Sequence, residues 1–178
     1  DEFQSLALGK VLLLSYPAGL KAQGLAIAKL NQGSGVDEVS ACGVEIAKAV
    51  ECKDILILSG EFEKAANLVE GIALRNYNYL DQKTNTKITT FNLQVMVQSV
   101  EDHVDKINQK LAVVDGVFFT RDLINAPANV LTTTSFSEQL SALSELGIKV
   151  EVLDEPELMK LGMRTLLCVG QGSDSPSK

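Results

Sequence analysis

The chain has 178 residues, of which 46% are hydrophobic and 22% are charged, and its formal net charge is −7 at pH 7. This composition excludes a disordered chain and predicts a buried core of one domain, or of one domain and part of a second. The acidic balance argues against broad binding of nucleic-acid phosphates, and no apolar run approaches the roughly 18 residues of a membrane-spanning helix.

The first half of the sequence alternates short apolar runs with helical patterns. The predicted strands are residues 10–16, 54–60 and 87–97, and the predicted helices are residues 39–50 and 61–80. Continuous apolar strands that alternate with helices indicate a parallel sheet covered on both faces. We therefore predict an α/β domain over residues 1–98, with a mixed, mostly parallel sheet and helices on both faces.

A long helix is predicted next. Ser99 and Asp102 resemble a capping box, and apolar residues then recur at steps of three and four. Pro127 forces its predecessor out of helical geometry, so the helix is expected to end near Ile124. We assign residues 99–126 to a linker helix, whose length is roughly 35–40 Å at 1.5 Å per residue.

Residues 127–178 are expected to begin a second, truncated α/β domain. Ser135 and Glu138 predict a capped helix that ends at Gly147. The elements predicted after it are a strand at 148–154, a short helix at 155–161 and a strand at 165–173. These residues are too few for an independent core, so we expect an exposed apolar patch after Pro127.

The joint between the long helix and the next helix is the first candidate functional segment. Its residues are Arg121, Asp122, Asn125, Pro127 and Asn129. Asparagine side chains satisfy turn backbone groups well, and a charged pair can brace a bend. We therefore favour a structural hinge over contact with substrate.

Other polar positions carry weaker signals. Gly170, Gly172 and Ser173 follow the last predicted strand, where α/β proteins often bind ligands, but a turn is favoured because no histidine other than His103 exists to activate Ser173. The Gly-rich loop at residues 31–36 matches no phosphate-binding motif, and an ordinary loop is favoured. His103 is expected at a surface or half-buried position, since one histidine makes no ligand set.

The cysteines indicate the redox environment. Cys42, Cys52 and Cys168 are widely spaced and form no Cys-x-x-Cys pair. This pattern favours reduced thiols in the cytoplasm over a disulfide framework or a zinc site.

Three segments resemble motifs of the leucine aminopeptidase (cytosol aminopeptidase) family. "TRDLINAPANVLT" at residues 120–132 resembles its R-D-L-x-N-x-P-A-N signature. "LGMRTLLCVGQGS" at residues 161–173 and "EGIALRNYNYLDQKT" at residues 70–84 are similar to two further family stretches, in the same order and spacing. One departure is Thr133-Thr134, where the family commonly has a proline.

The resemblance implies the amino-terminal part of a two-domain exopeptidase, which is usually a homohexamer and acts on peptides. It implies a macro-domain-like first domain, a long helix and a catalytic domain, in which two divalent ions, commonly zinc or manganese, activate a water. The family's metal motifs, V-G-K-G-x-x-F-D-x-G-G and N-T-D-A-E-G-R, do not occur in these 178 residues. No catalytic or metal-binding residue is therefore assigned, no cofactor is expected in this chain, and it is expected to be inactive alone.

Two other functions remain open from the sequence. One is a free-standing macro-like module that binds a nucleotide or ADP-ribose through its Gly-rich loops. The other is a scaffold or regulatory domain that only builds oligomers. No membrane partner is expected, and the acidic balance gives no support for binding nucleic acid.

Overall fold

The structure is a computed structural model that describes residues 2–50, 54–84 and 92–178. The chain divides into two compact units, Asp1–Thr120 and Arg121–Lys178. The first combines strands with helices, which confirms the predicted α/β class. No helix among the described residues is long and apolar enough to cross a membrane.

The first unit contains two separate strand pairs among its described residues. Its elements are α1 (Glu2–Ser5), β1 (Val11–Ser15), β2 (Gly24–Ala28), α2 (Val36–Ala49), β3 (Asp54–Gly60), α3 (Ala65–Arg75), β4 (Asn92–Val97) and the first part of α4 (Glu101–Asn125). Strand β1 pairs antiparallel with β2, whereas β3 pairs parallel with β4. The prediction of one mostly parallel sheet therefore differs from the structure, since β2 has no counterpart in the sequence prediction and forms a hairpin with β1.

The core of this unit lies where α2 and α3 meet the inner faces of both strand pairs. Its buried side chains are Val39, Cys42, Ile46, Leu68 and Ile72, against which Val11, Ala28, Ile57 and Leu93 of the four strands pack. Apolar residues at helical spacing on α2 and α3 thus face alternate apolar residues of the strands. The strand predicted at 87–97 is described only from Asn92 onward, because residues 85–91 lie outside the described ranges.

Two glycines allow α2 and α3 to approach each other closely. A Cβ added at Gly43 would lie 2.3 Å from the Leu68 carbonyl oxygen, and one added at Gly71 would lie 1.9 Å from the Ser40 carbonyl oxygen. Real Cβ atoms essentially never approach backbone atoms this closely. Glycine is therefore required at both positions for the helices to pack at this distance.

Helix α4 confirms the predicted long helix, although it begins at Glu101, two residues after the predicted start. One stripe of it contacts α3 and the segment after α3. Lys110 forms an ion pair with Glu70, and the Phe118 ring lies 5.2 Å from the Tyr77 ring, centroid to centroid. Val114, between these two contacts on the same stripe, is buried.

The second unit is helical throughout its described elements. It contains the end of α4, α5 (Thr133–Ala142), a 3-10 turn (Leu143–Leu146), α6 (Glu155–Lys160) and α7 (Arg164–Gly170). Gly147 follows the 3-10 turn with φ of 84°, the left-handed conformation predicted for it.

Both strands predicted in this unit are wrong. Residues 148–154 form neither helix nor strand, and residues 164–170, within the second predicted strand, form α7. A strand needs a neighbour to satisfy its backbone groups, and the described residues of this unit provide none. A helix, in contrast, satisfies its backbone hydrogen bonds internally. The run Thr165-Leu166-Leu167-Cys168-Val169 is compatible with a helix or a strand, because the periodicity of so short an apolar run does not favour one over the other.

Several apolar side chains after Pro127 are exposed, and their joining into one patch stays a prediction. Leu146 and Val169 are each 77% exposed, and Met159 and Leu161 are each 64% exposed. Leu158 is the one buried hydrophobic side chain among the described residues of this unit. The second unit therefore leaves much of its apolar surface uncovered.

Candidate functional site

The predicted hinge residues occupy the end of α4 and the turn that follows. Arg121, Asp122 and Asn125 lie in the last turns of α4, and the Ala126 amide continues the helical pattern by donating to the Asp122 carbonyl at 2.9 Å. The carbonyl of Pro127 accepts from the next amides, Val130 N at 2.8 Å and Leu131 N at 2.9 Å. Pro127, which has no N–H to donate, thus ends α4 and begins a new turn.

Most hinge side chains are accessible. Asp122, Asn125, Pro127 and Asn129 are exposed, and Arg121 is half-buried. The boundary between the two compact units falls between Thr120 and Arg121, at the start of this segment. The structure therefore brings the candidate residues together along one short segment, and their role as a hinge stays a prediction.

The cap of α5 differs from the sequence prediction by three residues. The Ser135 amide donates to Thr132 Oγ1 at 3.2 Å, and the Thr132 amide donates to Ser135 Oγ at 2.9 Å. Thr132 is therefore the N-cap, and Ser135, which was expected to be the cap with Glu138, stands at the third helical position. The run Thr132-Thr133-Thr134-Ser135 offers several capping registers, so the residue types alone do not select one.

The candidate residues Gly170, Gly172 and Ser173 lie at the end of a helix and just after it, rather than after a strand. Gly170 is the last residue of α7, and a Cβ added there would lie 2.0 Å from Ser177 Oγ. The hydroxyl of Ser173 accepts a hydrogen bond from the Ser175 amide at 3.1 Å, as in a side-chain-stabilised turn. Ser173 thus stabilises a turn, in agreement with the interpretation favoured from the sequence.

The last residues are fixed by polar contacts that the sequence analysis did not identify. Thr133 Oγ1 donates to the Pro176 carbonyl at 2.6 Å, and the buried Ser177 donates its amide to Glu155 Oε1 at 3.0 Å. Lys178 Nζ forms an ion pair with Asp154 Oδ1 at 2.6 Å. These contacts join the beginnings of α5 and α6 to residues 176–178, and no sequence motif encodes them.

The Gly-rich loop at residues 31–36 uses its own backbone donors internally. The Gly35 amide donates to Glu38 Oε2 at 3.0 Å, and the Ser34 amide donates to the Asn31 carbonyl at 3.2 Å. Lys64 Nζ closes the loop by donating to the Ser34 carbonyl. Because a phosphate cradle needs converging amides that are free to bind an anion, this arrangement disfavours the nucleotide-binding alternative.

Two polar side chains, those of Glu70 on α3 and His103 on α4, are buried, although the sequence predicted a surface or half-buried position for His103. Glu70 is 9% exposed and its carboxylate lies 3.0 Å from Lys110 Nζ. His103 is 8% exposed; its Nδ1 donates to the Ser99 carbonyl at 2.9 Å, and its Nε2 has no partner among the described residues. Glu70 therefore fixes α4 to α3 instead of facing solvent.

The described residues do not combine into a metal site. Within residues 2–50, 54–84 and 92–178, no group of three or more His, Cys, Asp or Glu side chains lies close enough to hold a metal ion. A pair of divalent ions requires several converging carboxylate or nitrogen ligands. The donor set of the described part thus does not fit the two-ion centre that the family resemblance implies.

Comparison with known proteins gives matches along the whole chain. The family model described as "Cytosol aminopeptidase family, catalytic domain" matches residues 118–178. A probable cytosol aminopeptidase of Cereibacter sphaeroides is 39% identical over 178 residues, which are 100% of this chain and 36% of the relative. A relative with the same name from Dinoroseobacter shibae is 39% identical over 176 residues, which are 99% of this chain and 36% of the relative.

Solved structures show the same fold. A tomato leucine aminopeptidase variant matches with a TM-score of 0.77 and 21% identity, over 95% of this chain and 36% of that chain. The bottromycin maturation enzyme BotP in complex with Mn matches with a TM-score of 0.73 and 21% identity, over 96% of this chain and 38% of that one.

The chain spans 36% of the length of the two relatives and matches their amino-terminal portion. The matches to them extend over both compact units. The chain is therefore similar, over its whole length, to the amino-terminal portion of cytosol aminopeptidases.

Proposed function

We propose that this chain is the non-catalytic amino-terminal part of a metal-dependent aminopeptidase that releases amino-terminal residues from peptides. The observation that carries the proposal is where the catalytic-domain match begins. It starts at residue 118, within three residues of the boundary between the compact units at Thr120 and Arg121. The match thus begins within the last turns of α4, close to the boundary between the compact units and nine residues before the proposed start of the catalytic domain at residue 127.

The proposal assigns a role to each part of the chain. Residues 1–98 form an accessory α/β domain, and residues 99–126 form a linker helix. Residues 127–178 begin the catalytic domain, whose uncovered apolar side chains, such as Leu146 and Val169, would pack against the remainder of that domain. Arg121, Asp122, Asn125, Pro127 and Asn129 shape the hinge between linker and catalytic domain, while Gly170, Gly172 and Ser173 form a turn within the latter.

The metal chemistry belongs to residues that the described part of this chain does not contain. Two divalent ions, manganese or zinc, would activate a water and polarise the peptide carbonyl in the whole enzyme. The BotP structure with Mn supports manganese as one candidate. We further propose a cytoplasmic homohexamer, as the family name and the resemblance imply.

A hydrolysis assay tests the proposed function. A protein that carries this chain followed by a catalytic domain of the family should release leucine from leucinamide when Mn²⁺ is supplied. Treatment with EDTA should abolish the release, and adding Mn²⁺ or Zn²⁺ back should restore it. A metal-loaded, folded protein without turnover on any amino-terminal amide substrate would contradict the proposal.

A titration with ADP-ribose tests the alternative function. The internal use of the Gly35 and Ser34 amides predicts no saturable heat on calorimetric titration of the chain. Saturable binding that is lost on substitution in the loop at residues 31–36 would favour a nucleotide-binding module instead.

A further inference from the structure

A surface cleft lies between α3 and α4 of the first unit, beside the ion pair of Glu70 and Lys110. Its volume is about 440 Å³, and its lining residues are Val36, Glu63, Ala66, Asn67, Lys106, Gln109, Lys110 and Val113. This volume falls within the roughly 300–1,000 Å³ that is typical of small-molecule sites. The cleft is therefore large enough for a ligand of amino-acid size.

The cleft contains one cation and one anion that neutralise no other group within the part of the chain that the structure describes. Lys110 is already paired with Glu70. Neither Lys106 nor Glu63 takes part in any ion pair among the described residues, including one with each other. Two opposite charges that line one cleft without pairing fit a ligand that carries both charges.

The remaining lining is apolar or amide. Val36 and Val113 are 49% and 54% exposed. Ala66 is buried, and its small side chain leaves room in the cleft. Asn67 and Gln109 each offer an amide that both donates and accepts hydrogen bonds. An aliphatic group placed against the two valines would bury apolar surface that is now in water.

We propose that this cleft binds a free α-amino acid with an aliphatic side chain. Lys106 pairs with the ligand carboxylate, Glu63 pairs with its α-ammonium group, and the side chain packs on Val36 and Val113. A nucleotide or phosphate fits less well, because it would meet the Glu63 carboxylate and only one unpaired cation. The inference goes beyond the proposed function, since it concerns binding to the first unit and requires no peptide hydrolysis.

Titrating the chain with L-leucine, followed by amide chemical shifts, tests the proposal. The shifts should saturate at α3 and α4, with a dissociation constant on the order of 1 mM for so small a ligand. Three analogues each lack one recognised group: 4-methylpentanoate lacks the ammonium, isoamylamine lacks the carboxylate and glycine lacks the side chain. Each should bind about tenfold more weakly than leucine or not at all.

Variants locate the site. Lys106→Gln and Glu63→Gln remove one charge each from exposed positions and should each weaken leucine binding about tenfold. Lys149→Gln removes an exposed charge from the second unit and should leave the affinity unchanged. The proposal is overturned if leucine does not saturate, if 4-methylpentanoate binds equally well, or if both cleft variants bind leucine as the unaltered chain does.

Discussion

Substitution of Gly71 by alanine tests the close packing of α2 against α3. The new Cβ would lie 1.9 Å from the Ser40 carbonyl oxygen, whereas an ordinary contact begins at 3.4 Å. The helices would have to separate by about 1.5 Å, which opens gaps around the fully buried Val39 and Ile72. Overpacking typically costs 1–3 kcal/mol, and a clash with the Ser40 backbone, which cannot move aside like a flexible side chain, places the expected loss at about 3 kcal/mol or more.

Hydrogen exchange of the α2 and α3 amides in increasing urea measures the free energy of unfolding of this unit directly. The matched control is Gly116→Ala in α4, where nothing lies within 4 Å of the added Cβ. Alanine is favoured over glycine inside a helix, so the control should be stabilised by about 0.5–1 kcal/mol. If Gly71→Ala lowers the free energy of unfolding by less than about 1 kcal/mol, the packing account is wrong.

Three further predictions concern single side chains. Thr132→Ala removes the N-cap of α5 and should lower the stability of this helix by about 1 kcal/mol. Faster hydrogen exchange of the first α5 amides would show the loss, and unchanged exchange would contradict the assignment of the cap. Glu70→Ala leaves the Lys110 ammonium, which is about one-third exposed, without its partner. We expect the free energy of unfolding, measured in urea, to fall by about 1–3 kcal/mol, and adding Lys110→Met to this variant should recover part of the loss. Burial, with a smaller contribution from Glu45, raises the pKa of the Cys42 thiol above its ordinary value of 9.0. As the pH rises, the unfolded chain therefore loses this proton before the folded chain does. The thiol's contribution to the free energy of unfolding is complete below about pH 9 and is lost as the pH rises further. Cys42→Ala should remove this loss from the pH dependence of unfolding.

The sequence predicts the elements whose signals are local. The strands β1 and β3 are continuous apolar runs, and α4 carries an apolar stripe that ends at a proline, so each follows from periodicity and backbone chemistry. Gly147 adopts the left-handed conformation expected of a helix-terminating glycine. These features need no knowledge of what packs against them.

The elements that depend on distant partners are not predictable in the same way. The run that forms α7 is compatible with both helix and strand, and the presence or absence of a neighbouring strand decides between them. The close approach at Gly43 and Gly71 depends on two helices meeting, although both glycines are visible in the sequence. The contacts of Ser177 with Glu155 and of Lys178 with Asp154 join residues more than 20 positions apart, and no motif marks them.

The candidate site likewise combines features that the local sequence predicts with features that depend on residues far apart in the chain. The hinge residues lie within nine consecutive positions, Arg121 to Asn129, so their motif identifies them together without any tertiary information. The pairing of Glu70 with Lys110, and the cleft beside it, arises only when the fold brings α4 within side-chain reach of α3. No local pattern in the sequence indicates that Glu70 forms a buried ion pair, because its partner lies 40 positions away.

Metal binding tests the central claim most directly, because no metal-binding group occurs within residues 2–50, 54–84 and 92–178, and we propose that other residues of the whole enzyme hold the two ions. Equilibrium dialysis of the 178-residue chain against Mn²⁺ and Zn²⁺, with leucinamide hydrolysis measured on the same samples, gives both the stoichiometry and the activity. We expect no stoichiometric ion and no turnover from this chain, and two ions with turnover from a protein that also carries the catalytic domain. Two tightly bound ions, or measurable hydrolysis, in the 178-residue chain alone would contradict the account.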